Sequence, residues 1–198
     1  MKSTEALWLW NTPDSLHAAH ALPHVLCPVT PSNWTPIRKI HRLCAYAYCS
    51  LLMGDKFQGI GYEPAPYLIG SQGNISFSHT ANWQALLYHP SEQVGVDIER
   101  LQARILPLTA KFLVPSEREF ATDILQATLA FSAKEALFKA KGLPFRDLII
   151  HSINHTDQQI TVYCPQFDRT FKLYFLQLAS LVLVYWVATE HRLALRLI

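Results

Sequence analysis

The sequence predicts an α+β fold of two similar subdomains, each a small antiparallel sheet packed with a long helix. Three observations predict it. Stretches 38–53 and 125–141 carry apolar residues at helical spacing and end at Gly54 and Gly142. Short alternating or β-branched runs follow each of them, so helix-then-strands occurs twice without a close sequence repeat. Half of the 198 residues are hydrophobic and 16% are charged, below the usual ~25%, which suits one large or two small cored domains. The division is expected at residue 100. The N-terminal half, 1–100, would hold a basic helix, a Ser-His strand and an Asp-x-Glu strand. The C-terminal half, 101–198, would hold a Lys-Glu helix and four strands, with the active site at the junction.

The elements follow in order. Ala6–Trp10 is a short aromatic strand, and Asp14 is placed to cap a helix through Leu22. Four prolines make 23–36 irregular. The helix from Arg38 to Met53 sets Ile40, Leu43, Ala47, Ser50 and Leu51 on one face and carries Arg38, Lys39, His41 and Arg42 early. Strands are expected at 74–80, 84–89 and 94–99. Helices are expected at 106–113, 115–124 and 125–141. The tail reads as strands at 148–153, 159–164, 170–176 and 181–188, with 191–198 extending the last hairpin.

Composition excludes several classes. A net charge of +2 is too weak to mark a nucleic-acid binder. Cys27, Cys44, Cys49 and Cys164 form no CxxC pair, so a structural zinc site is unsupported and a reducing cytoplasm is expected. The N-terminus lacks a basic start followed by an apolar run, and the longest apolar stretch, 178–189, is short of the ~20 residues that span a bilayer. His17, His20 and His24 could share a helix face, but Pro23 interrupts it.

Chemistry concentrates in two segments. In VGVDIE, strand alternation turns Gly95, Asp97 and Glu99 to one face, with the carboxylates about 7 Å apart. Gly95 should leave the neighbouring surface bare for a bulky ligand. Alone, this pattern also suits an edge strand with a polar face. In FSAKEALFK, Glu135 and Lys139 lie one turn apart, opposite a stripe of Ala133, Ala136, Leu137 and Ala140. Alone, that pair also suits a surface helix. Together, three carboxylates flanked by lysines fit Mg²⁺ and an arriving polyanion.

The ordered segments NISFSHT, VGVDIER and FSAKEALFKAKGL resemble the signature of the 4′-phosphopantetheinyl transferase superfamily, in its longer, monomeric type. The resemblance runs from about Arg38 to Leu143. It implies transfer of the phosphopantetheine arm of coenzyme A to a serine of an apo carrier protein, with release of adenosine 3′,5′-bisphosphate. It implies Mg²⁺ held by Asp97, Glu99 and Glu135. It assigns Lys139 to the leaving phosphate, Lys134 to a further phosphate contact, and Ser78 and His79 to coenzyme A phosphates. Glu117 matches a glutamate that could act on the acceptor serine through water, with Glu135 competing for that base role. Arg42 and Arg38 match basic residues for the 3′-phosphate, or are a solvated helix end. Ala65 stands where many members carry a basic residue. An acidic carrier would dock near Leu113, Arg118 and Phe120. Rival readings are another Mg²⁺-dependent phosphodiesterase or pyrophosphatase, and a non-catalytic module binding coenzyme A or a carrier.

Overall fold

The computed structural model describes residues 5–11, 35–62 and 65–197. The expected helix at 14–22, the three spaced histidines, Cys27 and Pro64 lie outside the described residues.

Two compact units emerge. One comprises 1–91 with 193–198, and the other 92–192. In the first, β1 (Ala6–Asn11) precedes helix α1 (Pro36–Met53). Short strands β2 (Ile60–Gly61) and β3 (Tyr67–Leu68) follow, then β4 (Asn74–Thr80) and β5 (Trp83–His89). With β11 (Leu195–Leu197) they form a six-stranded sheet ordered β11-β1-β5-β4-β3-β2. Thr35 caps α1 by accepting from the Arg38 amide at 3.4 Å, so the helix starts before Arg38, with Pro36 in its first turn. Ile40, Leu43, Cys44 and Cys49 of α1 pack on Trp8, Trp10, Ile75, Leu86 and Tyr88 of the sheet. Leu51, expected on that face, is exposed.

The second unit opens with β6 (Val94–Arg100) and contains the long helix α4 (Ile124–Lys141). Between them lie a 3₁₀ segment (Ala103–Leu108), α2 (Thr109–Phe112) and α3 (Pro115–Arg118). These replace the longer helices expected at 106–113 and 115–124. Pro115 explains the break at 113–114: proline has no amide hydrogen to donate and biases its predecessor toward extended backbone, while Pro107 falls within the tighter 3₁₀ segment. Val114 is extended accordingly, at φ −71° and ψ 161°. Strands β7 (Ile149–Asn154), β8 (Gln159–Cys164), β9 (Arg169–Leu178) and β10 (Leu181–Val187) complete a sheet ordered β6-β10-β9-β8-β7.

The two units share a plan. Each opens with a strand, continues through an 18-residue helix, and lays its last meander strand antiparallel beside the opener: β5 on β1, β10 on β6. The Asp-x-Glu strand β6 therefore opens the second unit, and the contact boundary falls between Ser91 and Glu92 rather than after Arg100. The tail also departs from expectation. Both edges of β10 are taken, by β6 and β9, so 191–198 has no hairpin to extend. It supplies β11, which pairs parallel with β1.

Helix α4 is capped by Asp123, which accepts from the Gln126 amide at 2.8 Å, and closed by left-handed Gly142. Ala133, Ala136 and Leu137 are fully buried, as the stripe predicts. Gly95 is not bare. A Cβ there would fall 2.0 Å from the Ala136 carbonyl oxygen and 2.9 Å from the Ala140 Cβ. The missing side chain admits the helix rather than a ligand. Gly95→Ala should therefore force α4 off β6, destabilise the fold by about 1–3 kcal/mol or more, and lower the melting temperature measured by circular dichroism.

Candidate functional site

Strand alternation puts Gly95, Asp97 and Glu99 on the face of β6 that meets α4. Their cross-strand partners on β10 are Trp186, Val184 and Val182, all in the core shared with α4. Asp97 is 3% exposed. A carboxylate that deep requires a positive partner, and Lys139 supplies it. The Lys139 ammonium donates to Asp97 Oδ1 at 2.7 Å and to the Val96 carbonyl at 3.1 Å. This side chain bridges helix to strand rather than lying on an open surface.

Glu135, half-buried one turn earlier, holds its proton more tightly than an ordinary glutamate. Burial is the largest cause and the Asp97 charge adds to it, while Lys139 pulls the other way. Two acids and one ammonium thus share a single electrostatic environment. Glu99, next along the β6 face, lines a cavity of about 430 Å³. Ile105, Leu108, Phe112, Phe131 and Phe145 give that cavity an apolar wall, and Arg100, Arg104 and Lys111 add cations.

Among the described residues, no three acidic, histidine or cysteine side chains converge closely enough to cage a metal ion. The donor set still fits a hard divalent cation. It offers oxygen ligands only, Asp97 lies close enough to raise the cost of charging Glu135, and Asp97 already holds one cation, the Lys139 ammonium.

Two other expected site residues have different surroundings. Lys134 and Glu117 are both fully buried. Lys134 Nζ donates to Glu117 Oε2 (2.8 Å), the Phe112 carbonyl (2.9 Å) and the Phe145 carbonyl (3.5 Å). Glu117 accepts from the amides of Val114 (2.7 Å) and Ile150 (2.6 Å). The pair ties the α2–α3 segment to α4 and β7. As arranged, Lys134 spends its protons on Glu117 and two backbone carbonyls, and Glu117 accepts from Lys134 and two amides. Leu113, expected at a docking surface, is likewise core. Lys134→Met should cost about 3–5 kcal/mol by leaving a buried carboxylate unpaired. Glu117→Gln in the same chain removes the unpaired charge while keeping an acceptor, and should restore part of that, as read by urea unfolding.

The first unit gathers the remaining expected residues. Arg38, Arg42, Ser78 and His79 line one pocket of about 210 Å³ with His41, Tyr62, Phe77 and Gln84. Arg38, His41 and Arg42 fall at i, i+3 and i+4 on α1, and so share a face. The Arg42 guanidinium lies 3.4 Å from the centre of the Tyr62 ring. Burial pushes the Tyr62 hydroxyl up to about 12, with Arg42 opposing. The His41 and His79 rings lie 4.1 Å apart. Burial, then the His79 charge, lowers His41 to about 4. His41 and Tyr62 were not among the expected site residues, although the helical spacing of Arg38, His41 and Arg42 already grouped His41 with the arginines.

His41 also sets a pH window. Its ordinary value is 6.5, so between 6.5 and about 4 the unfolded chain binds a proton that the folded chain refuses. Stability should therefore fall as pH drops through that window. His41→Gln should flatten the decline in denaturation midpoints measured at pH 7 and pH 5.

No curated protein matches the chain. A family model described as the 4′-phosphopantetheinyl transferase superfamily matches residues 93–195, which include Asp97, Glu99, Glu135 and Lys139. Among the described residues, no helix is long and apolar enough to cross a membrane.

Proposed function

The chain belongs to the 4′-phosphopantetheinyl transferase superfamily, and we propose that it moves the phosphopantetheine arm of coenzyme A onto a serine of an apo carrier protein. The observation that carries this reading is the Asp97, Lys139 and Glu135 cluster inside the matched segment. Acids and an ammonium set around one point suit a metal-bound pyrophosphate.

The reaction breaks the bond between the β-phosphorus and the bridging pyrophosphate oxygen, and joins that phosphorus to the serine oxygen. Adenosine 3′,5′-bisphosphate leaves with the bridging oxygen, and the serine proton passes to a base. Asp97, Glu99 and Glu135 would hold Mg²⁺, which supplies Lewis-acid polarisation of the phosphoryl group. Lys139 neutralises charge gathering on the leaving phosphate. The serine proton goes to Glu135 or Glu117; the burial of Glu117 in its ion pair with Lys134 favours Glu135.

The pocket of the first unit takes the phosphate-bearing nucleoside end. Arg38 and Arg42 offer planar forks that bind phosphate two bonds at a time, and Ser78 and His79 add short polar contacts. Ala65, exposed and without a polar group, adds none. The cavity beside Glu99 fits an acidic, partly apolar carrier surface better than the 113–120 segment does, because Leu108 is exposed there beside Arg104 and Lys111. A first unit with its own sheet, helix and pocket, in addition to the matched second unit, supports the longer type. Cys44, Cys49 and Cys164 are free buried thiols, which goes with a cytoplasmic setting.

Incubation with coenzyme A, Mg²⁺ and a panel of apo acyl and peptidyl carriers should add the phosphopantetheine mass to at least one carrier serine. Asp97→Ala should cut that rate on the order of 100-fold or more. Adenosine bisphosphate appearing without any acceptor would overturn transfer in favour of hydrolysis.

A further inference from the structure

Lys139 sits where the proposed chemistry needs a cation. Its ammonium lies 2.7 Å from Asp97 Oδ1, and the Val96 carbonyl takes a second of its protons at 3.1 Å. Lys139 keeps a quarter of its side-chain surface exposed, whereas Asp97 keeps only 4%. The carboxylate is fixed in the protein, and the ammonium at the end of a flexible stem is the partner able to leave.

We propose that Lys139 is a place-holder for the metal: it neutralises Asp97 in the metal-free protein, and the incoming divalent ion displaces it. This rests on the reading of Asp97 as a metal ligand. Two roles then belong to one side chain at different times. Before metal entry, the ammonium offsets the charge of a buried carboxylate. Afterwards it is released as a free cation, the form in which it can pair with a phosphate oxygen. Metal binding and readiness for the polyanion become linked, because the ion that recruits phosphate also frees the lysine. The exchange breaks only hydrogen bonds and transfers no proton.

A competing internal cation weakens apparent metal affinity in proportion to the fraction of time it occupies the ligand. Removing it should therefore tighten metal binding, the reverse of what losing a useful site residue does. The probe is Mn²⁺ alone, titrated without coenzyme A or carrier, with free Mn²⁺ followed by electron paramagnetic resonance. Lys139→Met should bind Mn²⁺ on the order of tenfold more tightly than wild type. Lys139→Arg keeps a cation and should stay near wild type. Lys141→Met removes a charge from the same helix, one whose ammonium lies 5.1 Å from the Trp186 ring, and should leave the affinity unchanged. Asp97→Asn added to Lys139→Met should abolish the gain. Circular dichroism confirms that each variant is folded, and if Lys139→Met is not, Lys139→Gln takes its place with the same expectation.

Unchanged, weaker or absent Mn²⁺ binding in folded Lys139→Met, or in Lys139→Gln where it stands in, overturns the exchange, as does an equal gain from Lys141→Met. The transfer reading is judged separately by the carrier mass of the wild-type protein. Carrier modification without the affinity gain sinks only the exchange. The affinity gain without carrier modification sinks only the transfer.

Discussion

The close approach of helix α4 to β6 is the constraint on which the rest of the second unit depends. It exists because position 95 carries no side chain and so lets the Ala136 backbone come within contact distance. At that separation a lysine on the helix can reach a strand carboxylate and a strand carbonyl together. The alanines along α4 serve the same end. Ala133 and Ala136 are fully buried, and larger residues there would hold the helix away. Packing and electrostatics are consequently one arrangement: small residues set the distance, and the distance sets the ion pair.

Much of this was legible in the sequence. Alternation in VGVDIE fixed which residues of β6 share a face, because side-chain period in a strand admits one answer. The long helix and its glycine stop were equally plain. Gly95 was read as an open surface because a sequence shows that a side chain is missing without showing what fills the space. The membership of β6 misled for a related reason. Three consecutive strands read as one meander, yet hydrogen bonding across to β10 depends on residues more than eighty positions away. Pairing at that range leaves no local pattern. The proline at 115 is visible in the sequence, but the early end of the helix it starts, at Arg118, leaves no local mark.

The adjacent residues Lys134 and Glu135 show how a motif can mix purposes. They are about 100° apart around α4. One turns inward to a carboxylate that also caps Val114 and holds Ile150. The other looks toward Asp97. A run of residues that reads as a single chemical site thus contains a fold anchor and the proposed site residue side by side. The anchor helps the site by pinning the helix that carries it. Sequence spacing alone could not separate the two, because burial decides which is which.

The pairing of β11 with β1 has a further consequence for how the chain is made. The second unit is one continuous stretch, 92–192, and all the strands of its sheet are present once that stretch has been synthesised. The first unit is interrupted, since its sheet recruits residues that follow the entire second unit. During translation the earlier-made unit must therefore wait with β1 as an open edge, while the later-made one can close first. Order of synthesis and order of completion run in opposite directions along this polypeptide.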